Sequence, residues 1–183
     1  MYRNSNDYEK IVKLIIDIYI DYNITSVPID EKEICRKMGL KLLPYSAYTG
    51  KEQELLRKRS EDGFFSPATK ITPNAIYYND SITSHGKIRY TIFHEVKHFS
   101  NGDEYDMEYN DNMADYFARY FMAPIPHLIK MGIDDEFTLI SDYEISAEAA
   151  MYAIRNVRRR KTRYGDKIFD YEKPLIELLC PGC

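Results

Sequence analysis

The sequence predicts an α+β fold that is compact, rich in helices and built around a small β-sheet. Residues 7–22 carry apolar side chains at helical spacing, and several later segments repeat this pattern. Short runs rich in β-branched and aromatic residues, such as 75–79, are typical of strands. A length of 183 residues, with 44% apolar and 30% charged side chains, fits one globular domain with a sizeable core.

After the first helix, a short second helix is expected to begin at Asp30. Asp30 and Glu33 have the spacing of a capping box, and Gly39 is a natural stop. A strand should follow and end near Pro44. The highly charged stretch 51–60 then indicates an exposed helix.

Two short strands are predicted at 63–65 and 75–79, where aromatic and β-branched residues are bounded by Gly, Pro and Asn. Ser84 is positioned to cap the next helix, and a further helix should run from about 106 to 122. Later helices are expected at about 125–132, 134–140 and 146–162. We therefore expect a single domain over 1–183, with a core at about 7–125 and a helical C-terminal extension at 126–183.

Composition narrows the class of protein. The formal net charge of −4 indicates no large nucleic-acid footprint, so direct nucleic-acid binding is not expected. The basic cluster at 155–163 is interpreted as a solvated helix end that complements the helix dipole. No run reaches the ~18 apolar residues of a membrane span, and the N-terminus does not have the pattern of a signal peptide. With only three cysteines, these features predict a cytoplasmic protein.

The most informative stretch contains His94-Glu95-Val96-Lys97-His98. On a helix, residues four apart project from nearly the same face, so the two imidazoles can bind one metal ion. Glu95 lies about 100° around the helix from His94, where it can act as general base on an activated water. An apolar stripe that includes Ile92 faces away from the histidines. We interpret Lys97 as a solvated helix residue.

A catalytic zinc ion needs a third protein ligand and one open position. Asp111 and Asp115 lie one turn apart on the following helix. We predict that Asp111 is the third ligand and that Asp115 orients a ligating histidine by accepting its free N–H. Glu108, one turn before Asp111, is the alternative third ligand.

These residues together resemble the ImmA/IrrE family of zinc metallopeptidases. The resemblance includes the strand "AIYYND", the His-Glu-x-x-His helix, and the stretch from Asp111 to Ala118 followed by "RYFMAP". It covers roughly residues 10–125. The chain departs from the family in having Asp rather than Glu as third ligand, and Lys97 where a small or uncharged residue is usual.

The resemblance implies a zincin-like domain and a cytoplasmic zinc endopeptidase with one catalytic Zn²⁺. It also implies a protein substrate, a helix-turn-helix transcriptional repressor encoded on a phage or mobile element. The alternative is a non-catalytic regulator that contains a metal and binds a repressor or DNA. The ligand types alone do not choose between zinc, manganese and iron.

Substrate contacts are predicted less specifically. The strand residues Ile76, Tyr77 and Tyr78 could hold a peptide as an added strand across the metal. A donor to the developing oxyanion is also expected. Four candidates stay open at this point: Tyr105, Tyr109, His85 and His127.

Overall fold

The computed structural model describes residues 5–101 and 108–182, with side chains described over 7–101 and 110–182. In chain order, its helices are α1 (Ser5–Asp21), α2 (Glu31–Lys37), α3 (Gly50–Arg59), α4 (His85–Asn101), α5 (Glu108–Met122), α6 (Ile125–Met131), α7 (Glu136–Asp142), α8 (Ala147–Tyr164) and α9 (Lys173–Leu179). The strands are β1 (Lys41–Pro44), β2 (Gly63–Ser66) and β3 (Ala75–Tyr78).

The predicted α+β class is confirmed, because helices dominate and the strands form one small mixed sheet. The chain folds into two compact units: Asp30–Ala118, and Met1–Ile29 together with Arg119–Cys183. The expected single domain with a boundary near residue 125 stays a prediction. Helix α9 was not predicted, although Pro174 in its first turn is a recognised start signal.

In the unit Asp30–Ala118, the sheet has the order β1-β3-β2. β3 pairs with β1 in parallel and with β2 in antiparallel orientation, so both of its edges are occupied. The prediction that Ile76, Tyr77 and Tyr78 bind a peptide as an added strand is therefore wrong, because an added strand needs an open edge. Within the described residues, β2 is the edge strand next to α4.

Helix α4 begins where the sequence predicts, because the Ser84 hydroxyl accepts a hydrogen bond from the N–H of Lys87 (3.3 Å). Its apolar side packs against β2 and β3, and Ile92, Phe93 and Val96 are buried. This packing turns the opposite side of α4, with both histidines, away from the core. At its N-terminal half, the guanidinium of Arg89 is buried and pairs with Glu31.

Gly63 lies at a close approach of β2 to α4. A Cβ at this position would lie 2.7 Å from the Cγ2 atom of Thr91 and 2.7 Å from the carbonyl oxygen of Tyr77. We expect Gly63→Ala to lower the free energy of unfolding by about 1–3 kcal/mol, because overpacking forces neighbouring atoms to move. Urea denaturation measures this change.

Gly50, the first residue of α3, is the matched control. A Cβ there meets nothing within 4 Å, and its backbone needs no positive φ. Gly50→Ala should therefore leave stability unchanged or raise it by up to about 1 kcal/mol. Equal unfolding midpoints for the two variants would contradict the close packing of β2 on α4.

In the other unit, α1 packs against α9, and the Tyr19 hydroxyl donates to the carbonyl of Phe121 (2.7 Å). Arg160 corrects the interpretation of 155–163 as a wholly solvated helix end. Its guanidinium is largely buried and donates two hydrogen bonds to Glu172, which is itself fully buried. This bidentate geometry is the strongest form of an Arg–carboxylate pair.

None of the helices in the described part of the chain is long and apolar enough to cross a membrane.

Candidate metal centre

Helices α4 and α5 bring His94, His98 and Asp111 together. The Nε2 atoms of the two histidines lie 3.2 Å apart. The Oδ1 atom of Asp111 lies 3.5 Å from the Nε2 of His98 and 4.0 Å from that of His94. All three donor atoms therefore lie within one cluster of the size a single cation spans. Both imidazoles are mostly buried, whereas the Asp111 side chain is 66% exposed.

The cluster fits a zinc ion in both donor chemistry and dimensions. Zinc takes imidazole nitrogen and carboxylate oxygen at about 2.0–2.2 Å in tetrahedral geometry, so two of its donor atoms lie about 3.3 Å apart. The nitrogen pair and the His98–Asp111 pair match this separation closely. Only the His94–Asp111 separation is longer, and the exposed Asp111 side chain can rotate to close it. Among the described residues, the three donors would leave a fourth tetrahedral position open.

Asp115 lies against His94, in the position expected of a residue that orients a ligating histidine. Its Oδ1 atom lies 3.0 Å from the Nδ1 of His94, so the imidazole donates from Nδ1 and directs its Nε2 lone pair towards the cluster. The Tyr90 hydroxyl donates to the same oxygen (2.5 Å). This role of Tyr90 was not predicted, although the residue lies one helical turn before His94 on the same face.

Removing the Asp115 carboxylate should weaken metal binding. We expect Asp115→Ala to lower zinc affinity about 10- to 100-fold, because the His94 ring loses the acceptor that fixes its orientation. Competition with a chromophoric chelator measures the affinity. Tyr90→Phe keeps the carboxylate and should cost less. Parental affinity in Asp115→Ala would show that Asp115 does not position the histidine.

Glu95 lies on the buried side of the same site. One carboxylate oxygen, Oε2, accepts a hydrogen bond from the backbone N–H of Phe65 (2.8 Å). The pairing of β2 with β3 explains this bond. The N–H of Asn79 donates to the carbonyl oxygen of Asp62, so the backbone groups of Asp62 face the chain that continues β3. Because this direction alternates from one residue to the next, the backbone groups of Phe65, three residues later, point away from β3. Burial raises the pKa of Glu95, and the Phe65 N–H partly offsets this effect.

The interpretation of Lys97 as a solvated residue is wrong, because the residue is 1% exposed. Its ammonium group donates to the carbonyl oxygen of Asn110 (3.4 Å), the residue before Asp111. The aliphatic stem lies in the core, and the charged end reaches the start of α5. Lys97 thus links the histidine helix to the helix that carries the acidic pair.

The two remaining candidates whose side chains the structure describes, His85 and His127, do not join the site. His85 is exposed at the start of α4, and His127 is buried, with its Nδ1 3.0 Å from the Tyr143 hydroxyl. Neither lines the cleft around the histidine pair. Tyr105 and the side chains of Glu108 and Tyr109 lie outside the described residues. The preference for Asp111 over Glu108 therefore stays a prediction.

A cleft of about 800 Å³ surrounds the cluster. One part of its wall is formed by the two histidines, Glu95 and both aspartates. The other part is formed by Arg59, Ser60, Gly63, Phe64 and Phe65. Arg59 is a cation in this wall that was not predicted, since a residue at the end of an exposed charged helix gives no local signal. The cleft is large enough for a peptide segment, and the three clustered donors lie in its wall.

Comparisons with protein families, with curated proteins and with solved structures returned no match for this chain. The chemistry of the site must therefore be argued from its own residues.

Proposed function

We propose that this protein is a zinc-dependent endopeptidase. The observation that carries the proposal is the cluster of His94, His98 and Asp111 beside a buried Glu95, all lining one open cleft. A site with structural zinc is usually closed by four protein ligands, whereas a hydrolytic site keeps three and an acid–base group nearby. The ImmA/IrrE resemblance, which is carried largely by these same residues, favours the same reaction.

The chain's own residues supply the proton transfer and the orientation of the histidine that zinc does not. When bound, zinc polarises the substrate carbonyl and lowers the pKa of a coordinated water towards ~7. Glu95, with Oε2 held by Phe65, can use its other oxygen to take a proton from the water that attacks the carbonyl carbon. As the C–N bond breaks, Glu95 passes this proton to the leaving amine. Asp115 keeps the His94 imidazole in the required tautomer.

We further propose that the substrate is a helix-turn-helix transcriptional repressor and that cleavage relieves repression. This step comes from the family resemblance. A repressor acts on DNA in the cytoplasm, so the proposed substrate assigns the reaction to that compartment. The cleft can hold an extended segment, which favours cleavage in a linker or a locally opened region rather than inside a packed helix.

Metal-dependent cleavage tests the proposal. The zinc-loaded protein is incubated with helix-turn-helix repressors from the same genome, and fragments are followed by mass spectrometry. We expect one or a few defined cuts that disappear after zinc is removed by a chelator and return when zinc is added. Zinc with the repressor alone is the control for hydrolysis by the free ion.

The non-catalytic alternative predicts a different result. A repressor that binds the zinc-loaded protein but stays intact would favour a metal-containing regulator over a peptidase. Cuts in short peptides, together with an intact repressor, would keep the peptidase and reject the repressor as its substrate.

A further inference from the structure

A second cavity, of about 360 Å³, lies on the side of the sheet away from α4. The rings of Phe64 and Tyr77 stack in parallel on this side, with centroids 4.9 Å apart. Phe65 points to the other side, where its ring meets Phe99 of α4. Helix α3 covers the cavity with Leu55 and Leu56.

The two cavities meet at β2. Arg59 and Phe64 line both of them, and the Arg59 guanidinium lies over the Phe64 ring, 4.0 Å from its centroid. Because both linings include Arg59 and Phe64, a peptide that follows the β2 side of the metal cleft would reach the second cavity. The second cavity therefore adjoins the proposed catalytic cleft.

The walls of the second cavity define what it can hold. Leu55 is 66% exposed although it is apolar, and α3 buries none of its ten residues. Two aromatic rings, Phe64 and Tyr77, form the floor. Such walls favour a large apolar side chain. Binding of that side chain would also remove the exposed Leu55 side chain from water.

Charge at the opening adds a second requirement. The last turn of α3 carries Arg57, Lys58 and Arg59 in succession, and Arg59 is exposed at the junction of the cavities. A planar guanidinium can donate two parallel hydrogen bonds to a carboxylate. An acidic residue close to the apolar one would therefore be favoured.

We propose that this cavity is a specificity subsite for the peptide substrate. It takes one aromatic or long aliphatic side chain of the cleaved segment, and Arg59 pairs with an acidic residue near that side chain. This inference rests on the proposed peptidase function. It names the class of segment that is cut: extended, with a large apolar residue and an acidic residue close together.

The main test uses a decapeptide library in which each position is varied, with cut sites identified by mass spectrometry. We expect the zinc-loaded parent to favour Phe, Tyr, Leu or Met at one fixed distance from the cut. Leu55→Glu should lower kcat/KM for the preferred peptides at least about tenfold, within the range that an apolar pocket contributes to selection. Ile71→Glu is the matched control, because Ile71, like Leu55, is an exposed apolar residue. It is 92% exposed and lines neither cavity.

The charge requirement is tested separately. Arg59→Gln should remove the preference for Asp or Glu near the apolar residue, and Lys58→Gln, at the neighbouring position, should keep it. Cleavage with no apolar preference, or an equal loss of activity in Leu55→Glu and Ile71→Glu, would overturn the subsite and leave the peptidase proposal standing.

A binding measurement separates failure of the subsite from failure of the peptidase. Fluorescein-labelled decapeptides that contain Phe and Asp, and a matched peptide with Ser in place of Phe, are titrated into zinc-loaded Glu95→Gln. Tighter binding of the Phe peptide that is lost on adding Leu55→Glu supports the subsite, even if the parent cuts nothing. Equal binding of both peptides overturns it.

Discussion

Replacing Glu95 with glutamine is expected to lower the rate of peptide hydrolysis by about 10²- to 10⁴-fold, the contribution of a positioned general acid–base group. Glutamine has nearly the same shape and can still accept the hydrogen bond from the Phe65 N–H. It cannot take a proton from water. The expected result is therefore loss of kcat with little change in peptide affinity, measured on a peptide that the parent cleaves.

Metal content distinguishes this interpretation from a general disturbance of the site. Elemental analysis of Glu95→Gln should give the same zinc content as the parent, because Glu95 is not among the three clustered donors. The exposed Glu54 provides the matched control, and Glu54→Gln should keep full activity. A Glu95→Gln protein with parental kcat would reject Glu95 as the general base.

His98→Ala is expected to lower zinc affinity by at least about 100-fold, since even the outer hydrogen-bonding partners of zinc ligands contribute 10- to 100-fold. The Nε2 of His98 lies close to both other donors, at 3.2 Å from His94 and 3.5 Å from Asp111. Its loss leaves two of the three donors in the described cluster, and Asp111 is mostly exposed. Competition with a chromophoric chelator gives the affinity.

The same helix provides the control for this measurement. His85 is exposed at the first position of α4 and does not line the cleft, so His85→Ala should keep parental zinc affinity. Circular dichroism checks that α4 survives in both variants. If His98→Ala bound zinc as tightly as the parent, the metal site would have to lie elsewhere.

The features that sequence predicted well are local ones. The Ser84 cap, the Gly39 stop and the side-by-side position of His94 and His98 each depend on residues within about one helical turn. The meeting of Asp111 with the histidines was predicted from the position of the acidic pair on the next helix. Its carboxylate does lie close to both imidazoles.

The features that sequence did not predict depend on pairing between distant segments. The β-branched and aromatic residues of 75–79 indicate a strand but cannot tell an edge strand from a central one, so the occupied edges of β3 were missed. Lys97 reads as a surface residue until the start of α5 is known to lie over its ammonium group. The bond from Phe65 to Glu95 requires the order of the sheet, which no short pattern gives.

That bond makes the proposed base depend on strand register. Successive residues of a strand turn their backbone groups to opposite sides, so sliding β2 by one residue would direct the Phe65 N–H at β3 instead of Glu95. The same slip would bring a residue with a side chain to the place where Gly63 lies close to Thr91 and Tyr77. The packing at Gly63 therefore holds the register on which the hydrogen bond to the proposed base depends.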